Sequence, residues 1–274
     1  MEFKNFLIRL HSFLSEQMGL DPLRTWASVR GMPAFVRDLS RFRKGYKGRL
    51  VLNPYLGDRF KEGGSTKNEY FWQDLLVAQK IFQAKPKRHV DVGSRIDGFV
   101  AHVASFRPIE VFDIRELSME IPGILFKQAD LMSPDSVINF CADGEGYCDS
   151  LSCLHAIEHF GLGRYGDPVN PLGYRRGIEN LSKFLVPGGR LYLSTPIGQE
   201  RVEFNANWVF NPGTILGVAS SAGLHLYELT VLDQLGGHET VLFPNKEKLD
   251  VLAKEHYRLG IFHFVKNERA ISSL

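Results

Sequence analysis

The chain has 274 residues, enough for one large domain or two small ones, each with a buried core. Hydrophobic residues at 44 % and charged residues at 23 % exclude a disordered, collagen-like or coiled-coil chain. With 33 basic against 31 acidic residues the net charge is +2, which makes no demand for a nucleic-acid partner.

Residues 3–18 place Phe3, Phe6, Leu7, Leu10, Phe13 and Leu14 at helical spacing and predict an amphipathic helix. Such a helix packs on the body or on a second copy of the chain, as in a homodimer, or lies on a membrane surface. Lys4, Arg9 and His11 interrupt any signal-peptide run, and no window approaches about 18 apolar residues, so the sequence predicts no membrane span. Cys141, Cys148 and Cys153 have neither disulfide-framework nor zinc-site spacing, and reduced thiols point to the cytoplasm. Residues 20–66 hold Pro22, Pro33 and Pro54 and are expected to be irregular. Within them Arg37, Arg41, Arg43, Lys44, Lys47 and Arg49 face one acid, Asp38, and form either a solvated surface or an anion site. The expected division is 1–66, a helix and irregular basic segment packed on the body, and 67–274, the main domain.

Residues 69–84 predict a helix stopped by Pro86. Beyond it strands and helices alternate: HVDVG, then GFVAHVASF; IEVFDI; a weaker strand ending near Gln128; YCDSLSCL, then YRRGIENLSKFLV; RLYLSTPI, then NPGTILGVASSAG; and two late strands, LHLYELTVL and YRLGIFHFVK. That order predicts an α/β fold: a doubly wound, mostly parallel, seven-stranded Rossmann-like sheet with an antiparallel edge strand, plus an N-terminal helical extension.

In such a sheet ligands lie beyond the carboxyl ends of the strands. Four loops stand there. Asp91, Gly93, Ser94 and Arg95 follow the first strand, where glycine allows close backbone approach and a helix N-terminus offers N–H groups. Asp113 ends the second strand, twenty-two residues after Asp91, a position suited to a ribose diol. Asp130 follows the third strand, where an acid can accept from an adenine amino group. His155, Glu158 and His159 follow the fourth.

This layout resembles class I S-adenosylmethionine-dependent methyltransferases. VDVG is similar to their first motif, FDI to the ribose acid, QADLM to the adenine loop, CLHAIEH to the loop after the fourth strand, and KFLVPGGRLYLSTP to the fifth-strand region. The resemblance spans about residues 69–266. The strings KRHVDVGSRIDGFVAH and IEHFGLGRYGDP resemble the family called domain of unknown function 268, some of whose members occur among genes for surface polysaccharides. The resemblance implies S-adenosylmethionine as cofactor, held by Asp91, Gly93, Ser94, Arg95, Asp113, Ile114, Asp130, Leu131 and Leu154, with Tyr70, Gln73 and Asp74 covering it. Arg95 and Asp97 stand where the family's motif has its second and third glycines, and their side chains would crowd the methionine moiety.

The implied reaction is O-methylation of a sugar or similar small polar acceptor, with His159, His155 and Glu158 as the catalytic set. Catalysis is weighed against loop structure and against a His-x-x-Glu-His metal site; the expectation is no metal, because the motif sits on a short turn. Arg164, Tyr165 and Asp167, with Glu203, Asn205, Asn207 and Trp208, are the expected acceptor contacts. Gly161-Leu-Gly163-Arg-Tyr-Gly166 has the letters of a dinucleotide fingerprint, but HAIEHF separates it from the strand, so it is expected to form a flexible loop over the site. The alternatives are a binding protein without turnover and a nucleic-acid methyltransferase using the basic run.

Overall fold

In a computed structural model, residues 10, 11, 13–61, 63, 64, 66, 68–141, 145–233 and 236–268 are described. The chain divides into two compact units, Met1–Ser65 and Thr66–Leu274.

In the first unit Phe13–Gln17 is helical, while most of the helix expected over 3–18 lies outside the described residues. The irregular reading of 20–66 is corrected by a 24-residue helix, α1 (Pro22–Gly45). Asp21 caps it by accepting from the Arg24 N–H at 2.9 Å, and Pro22 occupies the first helical position, where its missing N–H costs nothing. Pro33 reads as a breaker but stands on the exposed side, and the helix runs through it. The opposite side is close-packed: a Cβ at Gly31 would lie 1.9 Å from the Leu56 carbonyl oxygen. Residues 46–61 are the irregular part, with one short turn at Asp58–Phe60.

In the second unit α2 (Glu69–Ala84) starts at Asn68, whose side chain accepts from the Tyr70 N–H at 2.9 Å. The strands β1 (His89–Val92), β2 (Ile109–Asp113), β3 (Ile124–Gln128), β4 (Cys148–Leu154) and β5 (Leu185–Ile197) pair in parallel. A small separate hairpin, β6 (Arg201–Glu203) and β7 (Asn207–Val209), precedes β8 (Leu224–Leu232), β9 (His238–Leu242) and β10 (Arg258–Lys266). The sheet order is β3-β2-β1-β4-β5-β10-β8-β9. The doubly wound, mostly parallel sheet expected from the sequence is present, with an eighth strand added. Two strands run antiparallel to the rest: β10, which lies between β5 and β8, and β9, which pairs with β8 and forms the expected antiparallel edge. Leu259–Phe264 is buried without a break, which suits an interior strand, whereas the mostly exposed β9 forms the edge.

The helix after β1 is a five-residue π-turn, Ile96–Val100, running into α3 (Ala101–Ala104) and kinked at Gly98. The remaining helices are α4 (Pro134–Phe140), α5 (Gly173–Phe184), α6 (Pro212–Ser221) and α7 (Lys246–Leu252). Val77, Ile81 and Val103 cover one face of the sheet through Val111, Tyr192 and Ile261. Ile178, Leu181 and Ile215 cover the other through Val92, Leu193 and Phe262. Alternate residues of a strand thus serve opposite cores. The strand order reverses between β1 and β4, which opens a crevice at their carboxyl ends.

Candidate functional site

A cleft of about 460 Å³ occupies that crevice. It is lined at the strand tips by Gly93, Arg95, Asp113, Ile114, Asp130 and Leu131, and deeper in by His155, Glu158 and His159. Arg164, Tyr165 and Asp167 complete its wall from the glycine-rich loop.

The floor begins with Asp91, which is buried and does not line the cleft. Its carboxylate accepts from the Ser94 N–H at 3.0 Å, the Ser94 hydroxyl at 2.6 Å and the Ser152 hydroxyl at 2.5 Å. Ser94 Oγ in turn accepts from the Leu154 N–H at 3.2 Å. Asp91, Ser94 and Leu154 therefore support the turn from beneath. Gly93, with φ +73°, brings that turn close to the next loop; a Cβ there would stand 2.9 Å from the Ala156 methyl. Burial pushes Asp91 up to about 7, against the opposing hydrogen bonds of Ser152 and Ser94.

Arg95 lines the cleft, whereas Asp97 does not. They pair with each other at 2.8 Å on the surface, and the Arg95 guanidinium lies 5.6 Å from the centre of the Tyr70 ring at the rim. Tyr70 lines the cleft, whereas Gln73 and Asp74 are buried behind it, Gln73 accepting from Ser194 and Asp74 facing Gly98.

At the tip of β2 the Asp113 carboxylate accepts from Arg115 three times: from its N–H at 2.8 Å, Nε at 3.0 Å and Nη2 at 2.7 Å. The same guanidinium lies 4.4 Å from the centre of the Tyr165 ring. Asp130 accepts from the Met132 N–H at 2.8 Å, and the Leu131 carbonyl accepts from Asn180 at 2.9 Å. The Ile114 carbonyl accepts from Gln128 at 2.9 Å.

The loop after β4 gives the two histidines different states. His155 has φ +51°, which a non-glycine residue rarely adopts, and its ring stacks on Tyr70 at 4.4 Å. Its Nδ1–H donates to Glu158 Oε1 at 2.7 Å, and Nε2 lies 3.5 Å from Glu69 Oε1, which also accepts from the Tyr257 hydroxyl at 2.6 Å. Burial alone would lower the His155 pKa; Glu158 and Glu69 outweigh it and push it up to about 9. For Glu158 burial works upward, but the His155 charge beside it wins and lowers its pKa. His155 is thus an imidazolium between two carboxylates.

His159 is the reverse case. Burial holds its pKa below the usual histidine value, against the upward pull of Glu158. Its Nδ1–H donates to the Ala206 carbonyl at 2.7 Å, which leaves Nε2 with the lone pair. Arg164 Nη1 donates to the same carbonyl at 2.9 Å.

Asp167 ties the loop that follows. It accepts from the N–H groups of Gly161 at 2.9 Å, Gly163 at 3.1 Å and Tyr165 at 3.1 Å. Glu203, Asn205 and Trp208 lie off the cleft. Glu203 pairs with Arg201 at 3.0 Å, Asn205 sits in the β6–β7 turn, and Trp208 stacks on Phe210 at 5.6 Å. The alternation of the hairpin sends Trp208 to that cluster and Asn207 to the cleft. Of the expected residues after the fifth strand, Asn207 lines the cleft, while Glu69, Arg115 and Tyr257 line it without any sequence motif to announce them. The one local signal is Asn68, a helix cap that places Glu69 in the first turn of α2.

Residues 108–216 match the family described as "Caenorhabditis protein of unknown function, DUF268". Over that segment the resemblance to the family holds. It takes in IEHFGLGRYGDP and starts after KRHVDVGSRIDGFVAH. No curated protein matches the chain. Among solved structures the chain is similar to the 1,6-didemethyltoxoflavin-N1-methyltransferase of Burkholderia thailandensis, solved with 1,6-didemethyltoxoflavin and S-adenosylhomocysteine. The TM-score is 0.49 at 13 % identity, covering 71 % of this chain and 79 % of that one. It is similar to the N-methyltransferase NodS from Bradyrhizobium japonicum WM9 in complex with S-adenosylhomocysteine, with TM-score 0.47 at 12 % identity, covering 73 % and 89 %. It is also similar to the cyclase SpnF, with TM-score 0.48 at 14 % identity, covering 81 % and 85 %. A layout shared at such distance decides no chemistry, and a cyclase stands beside the methyltransferases.

The residues present fit an adenosine-bearing cofactor. Acids stand at the tips of β2 and β3, Gly93 and Ala156 line the cleft without bulky side chains, and Leu131, Met132 and Phe160 give apolar wall. The volume is within the range of small-molecule sites.

Proposed function

We propose that the protein binds S-adenosylmethionine in this cleft and methylates a hydroxyl of a small polar acceptor. The observation that carries the reading is one continuous cleft that joins the strand-tip acids Asp113 and Asp130 to His159. Asp113 would hold the ribose diol and Asp130 the adenine amino group. When bound, the cofactor supplies an electrophilic methyl group on its sulfonium.

The chain's own residues then have two tasks, to place the acceptor oxygen and to take its proton. His159 is neutral near pH 7 and offers Nε2 as the base. Arg164, Tyr165 and Asn207 line the same part of the cleft and provide donors and an aromatic face, a combination that suits a sugar, including one destined for a surface polysaccharide. His155 keeps its proton between Glu158 and Glu69, so it holds the loop's charge and geometry and leaves the proton transfer to His159. Placement is worth roughly 7–11 kcal/mol of barrier and a positioned base about 10²–10⁴ in rate, so placement dominates.

Thermal unfolding with S-adenosylhomocysteine tests the cofactor. At a hundredfold excess over Kd the stabilisation is about 2.7 kcal/mol, a rise of several degrees for a domain of this size. Asp113→Ala should abolish the rise and keep the fold. A wild-type protein that shows no rise, or a variant that rises equally, overturns the reading.

A further inference from the structure

The first unit, Met1–Ser65, carries twelve basic residues against six acidic ones, while the rest of the chain carries 21 against 25. Such asymmetry between parts of one chain points to an anionic partner for the basic part.

Helix α1 has two faces. Ala27, Gly31, Ala34, Phe35 and Asp38 form the covered one. Around the other side Trp26, Val29, Pro33 and Val36 follow at steps of three, four and three, one continuous stripe. Trp26 is 68 %, Val29 60 % and Val36 56 % exposed. Arg30, Arg37, Arg41 and Lys44 run along one flank of the stripe and Arg43 stands on the other, all exposed. Arg30 lies over Phe60 and Arg37 shares Asp38 with Arg59. Arg41, Arg43 and Lys44 have no ion pair among the described residues.

Three partners could cover such a face, and the chemistry separates them. A second copy would set one cationic helix against another, a like-charge contact that opposes docking. A nucleic acid would satisfy the arginines but gives Val29 and Val36 no apolar surface to enter. A bilayer with anionic headgroups satisfies both, because the stripe sinks to the acyl boundary while the arginine stems reach up to the phosphates. We propose that the outer face of α1 docks the protein on an anionic lipid surface. This stands independently of the reaction in the cleft.

Co-sedimentation of the full chain with vesicles tests it. We expect binding to equal parts phosphatidylcholine and phosphatidylglycerol at low salt, little binding to phosphatidylcholine alone, and release at high salt. Trp26→Ser/Val29→Ser should weaken binding at low salt with helicity unchanged. Arg41→Glu/Arg43→Glu should weaken it by more than about tenfold, since each lost cation is worth about fivefold. Equal binding to both vesicle types, or undiminished binding by Trp26→Ser/Val29→Ser, overturns the proposal. So does dimerisation that this double substitution abolishes, which gives the face to a second copy. Tighter binding to poly(U) than to the mixed vesicles, retained by the same variant, gives it to RNA and equally overturns the proposal.

Discussion

His155 and His159 are four residues apart, share one carboxylate neighbour and end in opposite protonation states. The difference arises from the balance against burial. Glu158 bonds His155 directly at 2.7 Å and Glu69 adds negative charge, which together outweigh burial, whereas Glu158 lies 3.9 Å from His159 Nε2, where burial and the Arg164 charge win. The pH profile of transfer should therefore hold its rate on the acid side to below the usual histidine value of about 6.5, and fall only as His159 protonates. His159→Ala should slow turnover by about 10²–10⁴ and remove that acid limb, leaving residual activity from placement alone. Stopped-flow or steady-state kcat against pH reads both effects. An acid limb that survives in His159→Ala assigns the base elsewhere.

At the scale of elements, the strand-tip residues were legible because the topology rule points to strand ends before any contact is known. Asp113, Asp130 and the His155–His159 loop were found that way and line one cleft. Glu69 and Tyr257 were not legible. They hydrogen-bond each other across 188 residues, and only the insertion of β10 beside β5 brings Tyr257 there. Helix α1 escaped for a different reason: its interior proline and outward apolar stripe conceal the amphipathic pattern that marks a packed helix. The glycine-rich loop shows the limit of letters in another way. Its three glycines all have positive φ, and Asp167, expected at the acceptor, is occupied with three backbone N–H groups. The turn after β1 gives the sharpest element-level test. Gly93→Ala forces a side chain into φ +73° and against Ala156, and should destabilise by more than about 1 kcal/mol in denaturant melts. Loss of S-adenosylhomocysteine binding should accompany it. A neutral effect would mean that the turn relaxes freely.

For the whole molecule the buried titrations set how stability varies with pH. Asp91 in the folded chain is pushed up to about 7, above its unfolded value, so the folded state holds the extra proton and stability falls as pH rises from about 4 to 7. His155 is raised to about 9, so its contribution is complete below about 6.5 and is lost as pH rises through 9. Glu110 and Glu228, each lowered to about 2, work the other way: their contribution is present above about 4.5 and is lost toward pH 2. His89, lowered to about 3 by burial, opposes Asp91: its contribution is present above about 6.5 and is lost as pH falls toward 3. The two nearly cancel between about pH 4 and 6.5, so urea unfolding should show a broad maximum ending near pH 6.5 and a decline toward pH 9. Asp91→Asn costs hydrogen bonds and lowers the whole curve, but it should also leave the His89 titration unopposed, so that stability of the variant rises from about pH 4 to 6.5. An unchanged slope there would show that Asp91 is charged throughout.

Arg115 spans from the tip of the second strand to the ring of Tyr165, holding Asp113 with one end and lying on the aromatic plane with the other. A ribose diol at that carboxylate would compete with the guanidinium for its oxygens, and a guanidinium drawn away also uncovers Tyr165. Occupancy of one half of the crevice is thus felt in the other half through a single side chain. On the proposed reading, a nucleoside that displaces Arg115 from Asp113 uncovers the Tyr165 ring for the acceptor, so the two ligands share one side chain between their sites.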